Sequence, residues 1–408
     1  MKYILTLLLI FLFPVRFLIG TLPYYEMAWI SSLLLYIEVA LLGACFVFAC
    51  FHWSEIRINR ISKALFFLYI IYFSFIYYQV IVSPQVPRPQ MMDVPEENFT
   101  AVRDFVIQTL SMILFLGFRK HINFKLFAKI TVLLTFFTFF AYFNVVDFRI
   151  YGMLDIMDKQ TDGEVDIITS FRVAGYMAFA FFCNYVVKDD WVKRKYIDTI
   201  IFYLCSIIFI LGLFITIKRG PIISFLVVLG LIFYLKFKKK IALVALLCGL
   251  CILLFGEFFN DILQNYASGL ADRFITMADS GGSSRIGSDG SVYGTAFEQI
   301  KESPITGSYF RLLRSTYTDR GAYPHNILLE LLMTGGLLLS IPFFILLWKA
   351  LRIDIRLIKL GGEQSLPALC FLYVLLSLMT SSSLLFKTEF WVFLAILCSY
   401  NLKSVRIR

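Results

Sequence analysis

Residues 197–236 read IDTIIFYLCSIIFILGLFITIKRGPIISFLVVLGLIFYLK. Two apolar stretches, 197–217 and 220–236, are separated only by Lys218 and Arg219. Each has about the 17 to 25 residues that a helix needs to cross the hydrocarbon core of a bilayer. The pattern therefore predicts a helical hairpin in a membrane, with two cations at its turn.

The rest of the chain repeats this pattern. Of its 408 residues 59% are hydrophobic and 16% are charged, and the mean hydropathy is +0.78. This composition excludes a soluble domain and is typical of a polytopic membrane protein, so we expect an all-α integral helix bundle. About twelve transmembrane helices are predicted, at residues 3–20, 27–51, 62–82, 101–118, 124–146, 171–187, 197–217, 220–236, 241–258, 324–348, 366–384 and 386–402.

One large outer loop divides the predicted helices into two groups. The expected parts are helices one to nine in residues 1–258, the loop in 259–323, and helices ten to twelve in 324–408. Inside the loop, apolar residues at spacings of three and four predict an amphipathic helix at 259–274. The Gly- and Ser-rich stretch 280–291 cannot hold a helix, and a second short helix is predicted at 292–301.

Lysine and arginine residues concentrate in alternate loops. They occur in residues 57–63, 119–125, 188–195, 236–240 and 349–359 and in the tail 403–408. By the positive-inside rule both termini lie in the cytoplasm, and Lys218 and Arg219 lie on the outer side. The net charge of +10 is thus a topology signal, and its spread over several segments argues against a nucleic-acid groove. A cation pair kept against this bias favours an anionic ligand.

No metal site, disulfide or cofactor is predicted. All eight cysteines fall in apolar predicted spans, where they behave as small apolar residues. Cys248 and Cys251 form a C-x-x-C, but no second pair accompanies them. The outer face carries no acidic cluster either.

The tenth predicted helix opens with Tyr323-Pro324-His325-Asn326. The start of a helix presents free N–H groups and the positive end of the dipole, which favour a bound anion. An interfacial histidine or a helix-capping asparagine is the structural alternative. Four outer-loop arginines are further candidate ligands: Arg285, Arg311, Arg314 and Arg320.

Charged residues inside predicted spans raise the question of what they face. Glu330, Arg16 and Glu38 are expected to face the bundle interior or an aqueous cavity, as such groups usually do. The sequence does not separate a structural pair from a functional one.

These motifs resemble those of the O-antigen polymerase and O-antigen ligase superfamily. Arg219 is followed by ten residues and Gly230, and His325-Asn326 by nine residues and Gly336. The stretch 293–307, with Ser303-Pro304 and Gly307, is similar to the family's run before its Pro and Gly. The resemblance covers roughly residues 200–345.

The resemblance has two departures. Leu339 stands three places after Gly336, where the family often has a small residue or Tyr. The family's loop arginine usually lies about four residues before the aromatic residue of the short helix, and Asp289 holds that place before Tyr293. Arg285 is the nearest candidate, and Arg311, Arg314 and Arg320 are substitutes.

The resemblance implies a metal-independent glycosyltransferase at the periplasmic face of the bacterial inner membrane. Its donor would be a polyprenyl-pyrophosphate-linked glycan, and its acceptor a lipid-linked glycan or lipid A-core. Arg219, and with it Arg285, would bind the leaving pyrophosphate, because the guanidinium fork matches phosphate oxygens. Lys218 would add positive field. His325 would take the acceptor proton or orient the acceptor, with Asn326 beside it.

Several functions remain open. A polymerase joins lipid-linked repeat units, while a ligase moves the finished glycan to lipid A-core. We favour the polymerase because the outer loop is modest and aromatic-rich, and the first half has no pattern typical of a lipid A-core acceptor site. A flippase would show matched halves, which this chain lacks. A purely structural protein would not explain Lys218 and Arg219. Membrane lipids and a chain-length regulator are the other expected partners.

Overall fold

The computed structural model describes residues 2–16, 28–52, 56, 58–77, 95–145, 167–215, 219–237, 292–307, 324, 326–380, 384 and 387–400. These residues form an all-helical protein and contain no β-strand. The predicted helices at 241–258 and 259–274 and the Gly- and Ser-rich stretch 280–291 lie outside them.

The described α-helices follow the predicted segments closely. In chain order they are α1 (Lys2–Ile10), α2 (Ala28–Phe51), α3 (Arg60–Tyr77), α4 (Pro95–Phe118), α5 (Phe124–Val145), α6 (Ile167–Val187), α7 (Lys195–Ile215), α8 (Arg219–Phe237), α9 (Val292–Glu302), α10 (Ile327–Leu360), α11 (Leu366–Leu378) and α12 (Thr388–Cys398). A π-helical turn, Phe11–Val15, continues α1, and 3-10 turns at Arg119–His121 and Gly362–Ser365 precede α5 and α11.

Several of these helices suit a bilayer. Within the described residues, Ser32–Phe51, Lys195–Leu213 and Ile327–Leu360 are long and apolar enough to cross one. Between the apolar helices α4 and α5 the chain bends by 118°. Shorter apolar helices include Val173–Val187 and Gly220–Leu235. The protein is therefore a multi-pass membrane protein, and the number of twelve crossings stays a prediction.

The last three helices differ in length from the predicted spans. α10 continues to Leu360, twelve residues beyond the predicted end at 348. α11 and α12 have only 13 and 11 residues, and of the turn that connects them the structure describes Met379, Thr380, Leu384 and Lys387. At about 1.5 Å per residue these two helices measure about 20 and 17 Å, less than the hydrocarbon core of about 30 Å.

Aromatic side chains pack α3, α10 and α12 together. Trp391 is 1% exposed, and its ring centroid lies 4.9 Å from Tyr69, 6.1 Å from Tyr72 and 6.0 Å from Phe343. Its indole N–H donates a hydrogen bond of 2.9 Å to the Leu384 carbonyl. Trp391 thereby fixes the start of α12 against the two longer helices, as a buried indole does when its N–H finds a partner.

A polar contact holds α7 against α6. Asn184, which is fully buried, donates to the Phe202 carbonyl at 2.9 Å and to the Ser206 hydroxyl at 3.1 Å. α8 then packs on α6 through Phe225, whose ring lies 5.0 Å from that of Phe181. The helices on both sides of Lys218 and Arg219 are therefore anchored to the same element.

Candidate functional site

Asn326 begins α10 as its N-cap. Its backbone is extended (φ −149°, ψ 117°), and its Oδ1 accepts hydrogen bonds from the amides of Leu328 (3.0 Å) and Leu329 (3.3 Å). This is the usual cap geometry, in which a side chain satisfies free amides of the first turn. The same side chain donates through Nδ2 to the Met379 carbonyl at 3.4 Å. Asn326 is thus the helix-capping residue that the sequence offered as an alternative, and it also contacts the chain after α11.

A break at Gly336 divides α10 into two parts. Gly336 has φ 57° and ψ −163°, a conformation that only glycine adopts readily, and regular helix lies on both sides of it. Leu339, the departure from the family pattern, lies about one turn later and is buried. Its side chain occupies the position next to Gly335, where an added Cβ would lie 2.5 Å from it. The sequence predicted one uninterrupted helix here, and that part of the prediction is wrong.

The chain after α9 closes this break. We call Ser303–Gly307 the proline segment. Its carbonyls at Pro304 and Ile305 accept hydrogen bonds from the amides of Leu337 (2.9 Å) and Leu338 (3.0 Å). Because the first amides of a helix have no partner inside it, the proline segment supplies acceptors for the second part of α10.

Two glycines make this contact possible. A Cβ at Gly336 would lie 2.4 Å from the Gly307 nitrogen and 2.4 Å from the Ile305 oxygen. A Cβ at Gly307, where φ is 67°, would lie 2.5 Å from the Gly336 nitrogen. The two backbones therefore touch directly, and neither position has room for a side chain.

α9 packs on the first part of α10. Ala296 is completely buried and Gln299 is 3% exposed, while Phe297 and Glu298 are exposed. Ala296 shares a small hydrophobic cluster with Met333, against which Ile300 packs. The predicted short helix at 292–301 is confirmed, and one of its faces lies on the helix that Asn326 begins.

Glu330 is a buried carboxylate in that same part of α10. It is 2% exposed, its Oε1 accepts a hydrogen bond from the Tyr72 hydroxyl at 3.1 Å, and its Oε2 accepts one from the Leu384 amide at 3.2 Å. Glu330 thus joins α3, α10 and the turn between α11 and α12. The sequence placed Glu330 inside a span but could not identify these partners.

Arg16 and Glu38 form the other buried charged contact. The Arg16 Nε lies 3.0 Å from both carboxylate oxygens of Glu38, and one terminal nitrogen lies 2.8 Å from Oε1. The Glu38 side chain is fully buried and that of Arg16 is 24% exposed. The pair ties the end of the first helix to α2, which is a structural role.

The predicted ligands are described to different extents. Arg219 is the first residue of α8, at the turn where the sequence placed it. Six others lie outside the described residues: Lys218, Arg285, Arg311, Arg314, Arg320 and His325. In the described part of the chain no group of three or more His, Cys, Asp or Glu residues could hold a metal ion.

Sequence reasoning missed three participants in this region. Tyr72, Met379 and Leu384 all contact residues of the first part of α10. The only available signal was the run Thr380-Ser381-Ser382-Ser383, which interrupts the last apolar segments with hydroxyl groups. It marks the place where α11 ends.

The fold and this region define a multi-pass, all-α membrane protein with a helix capped by Asn326 and broken at Gly336. Residues 204–344 match the family model for O-antigen ligase. The match begins within α7, takes in α8 and α9, and ends just beyond the break in α10. The match supports a relationship of this part of the chain to the O-antigen ligase and polymerase superfamily, a family of enzymes with glycosyltransferase-like activity. No curated protein and no solved structure matches the chain significantly.

Proposed function

We propose that this protein polymerises polyprenyl-pyrophosphate-linked oligosaccharide repeat units at the periplasmic face of the inner membrane. The reducing-end sugar of one lipid-linked glycan is transferred to a hydroxyl of another, and the lipid pyrophosphate leaves. The products would be O-antigen, capsule or exopolysaccharide. The family match to residues 204–344 supports the class of reaction.

The observation that carries the proposal is the contact between the proline segment and the break in α10. Gly307 and Gly336, which are parts of the resemblance, contact each other through backbone atoms, and the carbonyl of Pro304, a third part, accepts a hydrogen bond from Leu337 directly after Gly336. The helix they join is the one that Asn326 caps. Motif residues that lie about thirty positions apart are thus held in one substructure, as a site that must align two glycolipids requires.

Arg219 and His325 have complementary roles in this reaction. The departing pyrophosphate gains negative charge, which Arg219 would stabilise by bidentate hydrogen bonds, with Lys218 adding to the field. Arg285, or one of Arg311, Arg314 and Arg320, would complete the anion site. His325, whose unperturbed pKa is near 6.5, would accept the proton of the acceptor hydroxyl or orient that hydroxyl. Asn326, the next residue in the chain, caps the helix.

A ligase is the second candidate, since it uses the same donor and the same leaving group. It would transfer the glycan to lipid A-core, and the family description O-antigen ligase favours it directly. The modest, aromatic-rich outer loop and the absence of a lipid A-core pattern in the first half of the sequence favour the polymerase.

The test is a reaction with purified protein in detergent, containing a polyprenyl-pyrophosphate-linked repeat unit but neither divalent metal nor lipid A-core. We expect a ladder of glycolipids on a gel, and no ladder with Arg219→Ala or His325→Ala. Lys195→Ala, at an exposed position at the other end of the α7–α8 hairpin, serves as the control and should leave the ladder intact.

Two outcomes would exclude the polymerase. An unextended band that shifts only when lipid A-core is added would identify a ligase. A flippase would be identified by a band that stays the same with and without lipid A-core, together with movement of the glycolipid across proteoliposome membranes.

A further inference from the structure

The turn between α11 and α12 is attached to α10 at two points. Asn326 donates to the Met379 carbonyl, and Glu330 accepts from the Leu384 amide. The two side chains stand four residues apart, which places them on the same face of the helix, one turn apart. The beginning of α10 and this turn are therefore held in one fixed relation.

Tyr72 connects this attachment to a third element. Its hydroxyl donates to Glu330 at 3.1 Å, and its ring is 2% exposed and packs near Trp391 and Phe73. Trp391 in turn donates to the carbonyl of Leu384, the residue whose amide Glu330 accepts. Leu384 is thus held through its N–H by Glu330 and through its C=O by Trp391. Tyr72 lies close to both of these side chains.

The Glu330 side chain has no simple substitute in this arrangement. Each of its oxygens accepts a bond from a different element, which a carboxylate can do because it offers two acceptor oxygens and no donor. An alanine would leave the buried Tyr72 hydroxyl and Leu384 amide without this acceptor. Such a loss in a low-dielectric interior is costly, so the pair favours one position of the helix start.

We propose that Glu330 and Tyr72 are positioning residues that fix the His325–Asn326 end of α10 for glycosyl transfer. The inference rests on the proposed function, because it assigns to His325 the contact with the acceptor. Glu330 and Tyr72 are thereby assigned a role in orientation, not a contact with the reacting atoms. They act through Leu384 and through the first turn of α10, which follows His325 in the chain.

α3 offers a matched control for Tyr72. Tyr69 lies one turn away on the same helix, is completely buried, and forms a hydrogen bond of 3.0 Å between its hydroxyl and that of Thr109 on α4. Tyr69→Phe and Tyr72→Phe each remove one buried hydroxyl and keep the ring. Only Tyr72→Phe removes a contact to α10, so a difference between the two variants reports on positioning and not on general packing.

The first readout is kinetic. We expect Tyr72→Phe to lower kcat about tenfold while KM for the lipid-linked donor stays within twofold, and Tyr69→Phe to leave both unchanged. Glu330→Gln should retain most of the rate, because the amide oxygen can accept from Leu384 and the amide nitrogen can donate to the Tyr72 oxygen. Glu330→Ala should lose more than Tyr72→Phe. Equal kcat values for the two tyrosine variants would overturn the proposal.

The second readout needs no substrate. In hydrogen–deuterium exchange, the peptide that contains Leu384 should exchange at least fivefold faster in Tyr72→Phe than in the wild type or in Tyr69→Phe. If the wild type produced neither polymer nor ligated glycan, the proposed function would fail, while this exchange would still test the attachment. Unchanged exchange at Leu384 would show that Tyr72 and Glu330 do not hold the turn.

Discussion

Gly336 and Gly230, the glycines that follow His325-Asn326 and Arg219 in the motifs, have opposite surroundings. At Gly336 an added Cβ would meet the backbone of Gly307 and Ile305 at 2.4 Å, whereas at Gly230, in the middle of α8, it would meet no atom of the described residues within 4 Å. The two motifs thus belong to different kinds of region. The region around Gly336 is closed by contacts between backbones. In α8 there is room beside Gly230 among the described residues, and Arg219 is the first residue of the helix.

The difference indicates how the candidate site is divided. The region around Gly336 fixes geometry, because it joins the proline segment, α9 and the two parts of α10. The α8 region, beginning at Arg219, carries the charge that the sequence assigns to pyrophosphate binding. Changes in the first region are expected to affect folding, and changes in the second to affect activity.

Gly336→Ala should have the largest effect and is the strongest test of the closed region. The residue would need a left-handed backbone conformation and would place its Cβ against two backbone atoms, so we expect little folded protein. Thermal unfolding in detergent, followed by tryptophan fluorescence or by loss of the monodisperse peak, would measure this. A stable Gly336→Ala protein with normal activity would contradict the described contact with the proline segment.

Arg219→Lys should have a large effect of the other kind. The charge is retained, but a lysine ammonium cannot bind phosphate oxygens in the bidentate manner of a guanidinium. Loss of one strong charge-assisted contact predicts a decrease in rate of roughly tenfold to a hundredfold, which corresponds to about 1.4 to 2.8 kcal/mol. The melting temperature should remain that of the wild type. A fully active Arg219→Lys enzyme would show that Arg219 does not bind pyrophosphate in the bidentate manner.

Asn326→Ala should have an effect of intermediate size, on both stability and activity. Removing an N-cap costs about 0.5 to 2 kcal/mol, and the contact with Met379 is lost as well. Asn326→Asp keeps the cap oxygen but not the donor to Met379, so its stability should lie between those of the wild type and Asn326→Ala. If the aspartate variant is stable yet slow, the Met379 contact matters for catalysis. If alanine and asparagine are equally stable, the cap contributes nothing measurable.

Gly230→Ala should have the smallest effect and serves as the counterpart of Gly336→Ala. A Cβ there meets open space among the described residues, and alanine is favoured over glycine inside a helix by roughly 0.5 to 1 kcal/mol. Unfolding should therefore be unchanged or slightly shifted to higher temperature. A marked loss of activity in a stable Gly230→Ala protein would indicate that the space beside this glycine is occupied by lipid or substrate during the reaction.

Much of the helical organisation could be predicted because hydropathy is a local property. The start of α5, the end of α6 and the short helix α9 were all located by runs of apolar residues or by spacing. The ends of α11 and α12 were not, because α11 ends at Leu378 and α12 at Cys398, before the predicted ends at 384 and 402. Beyond α11 the Met379 carbonyl accepts a hydrogen bond from Asn326 and the Leu384 amide donates one to Glu330, and no local pattern encodes a partner that lies 53 or 54 residues away.

The same reasoning applies to the candidate site. The sequence alone determined the membrane class, the motif spacings and the residue types that suit an anionic leaving group, because these depend on composition and order. The tertiary structure decided that Gly336 breaks α10, that the proline segment fills the break, and that Glu330 meets Tyr72, 258 residues away along the chain. Those contacts depend on which buried polar groups come together in three dimensions, because burying a polar group without a hydrogen bond costs free energy.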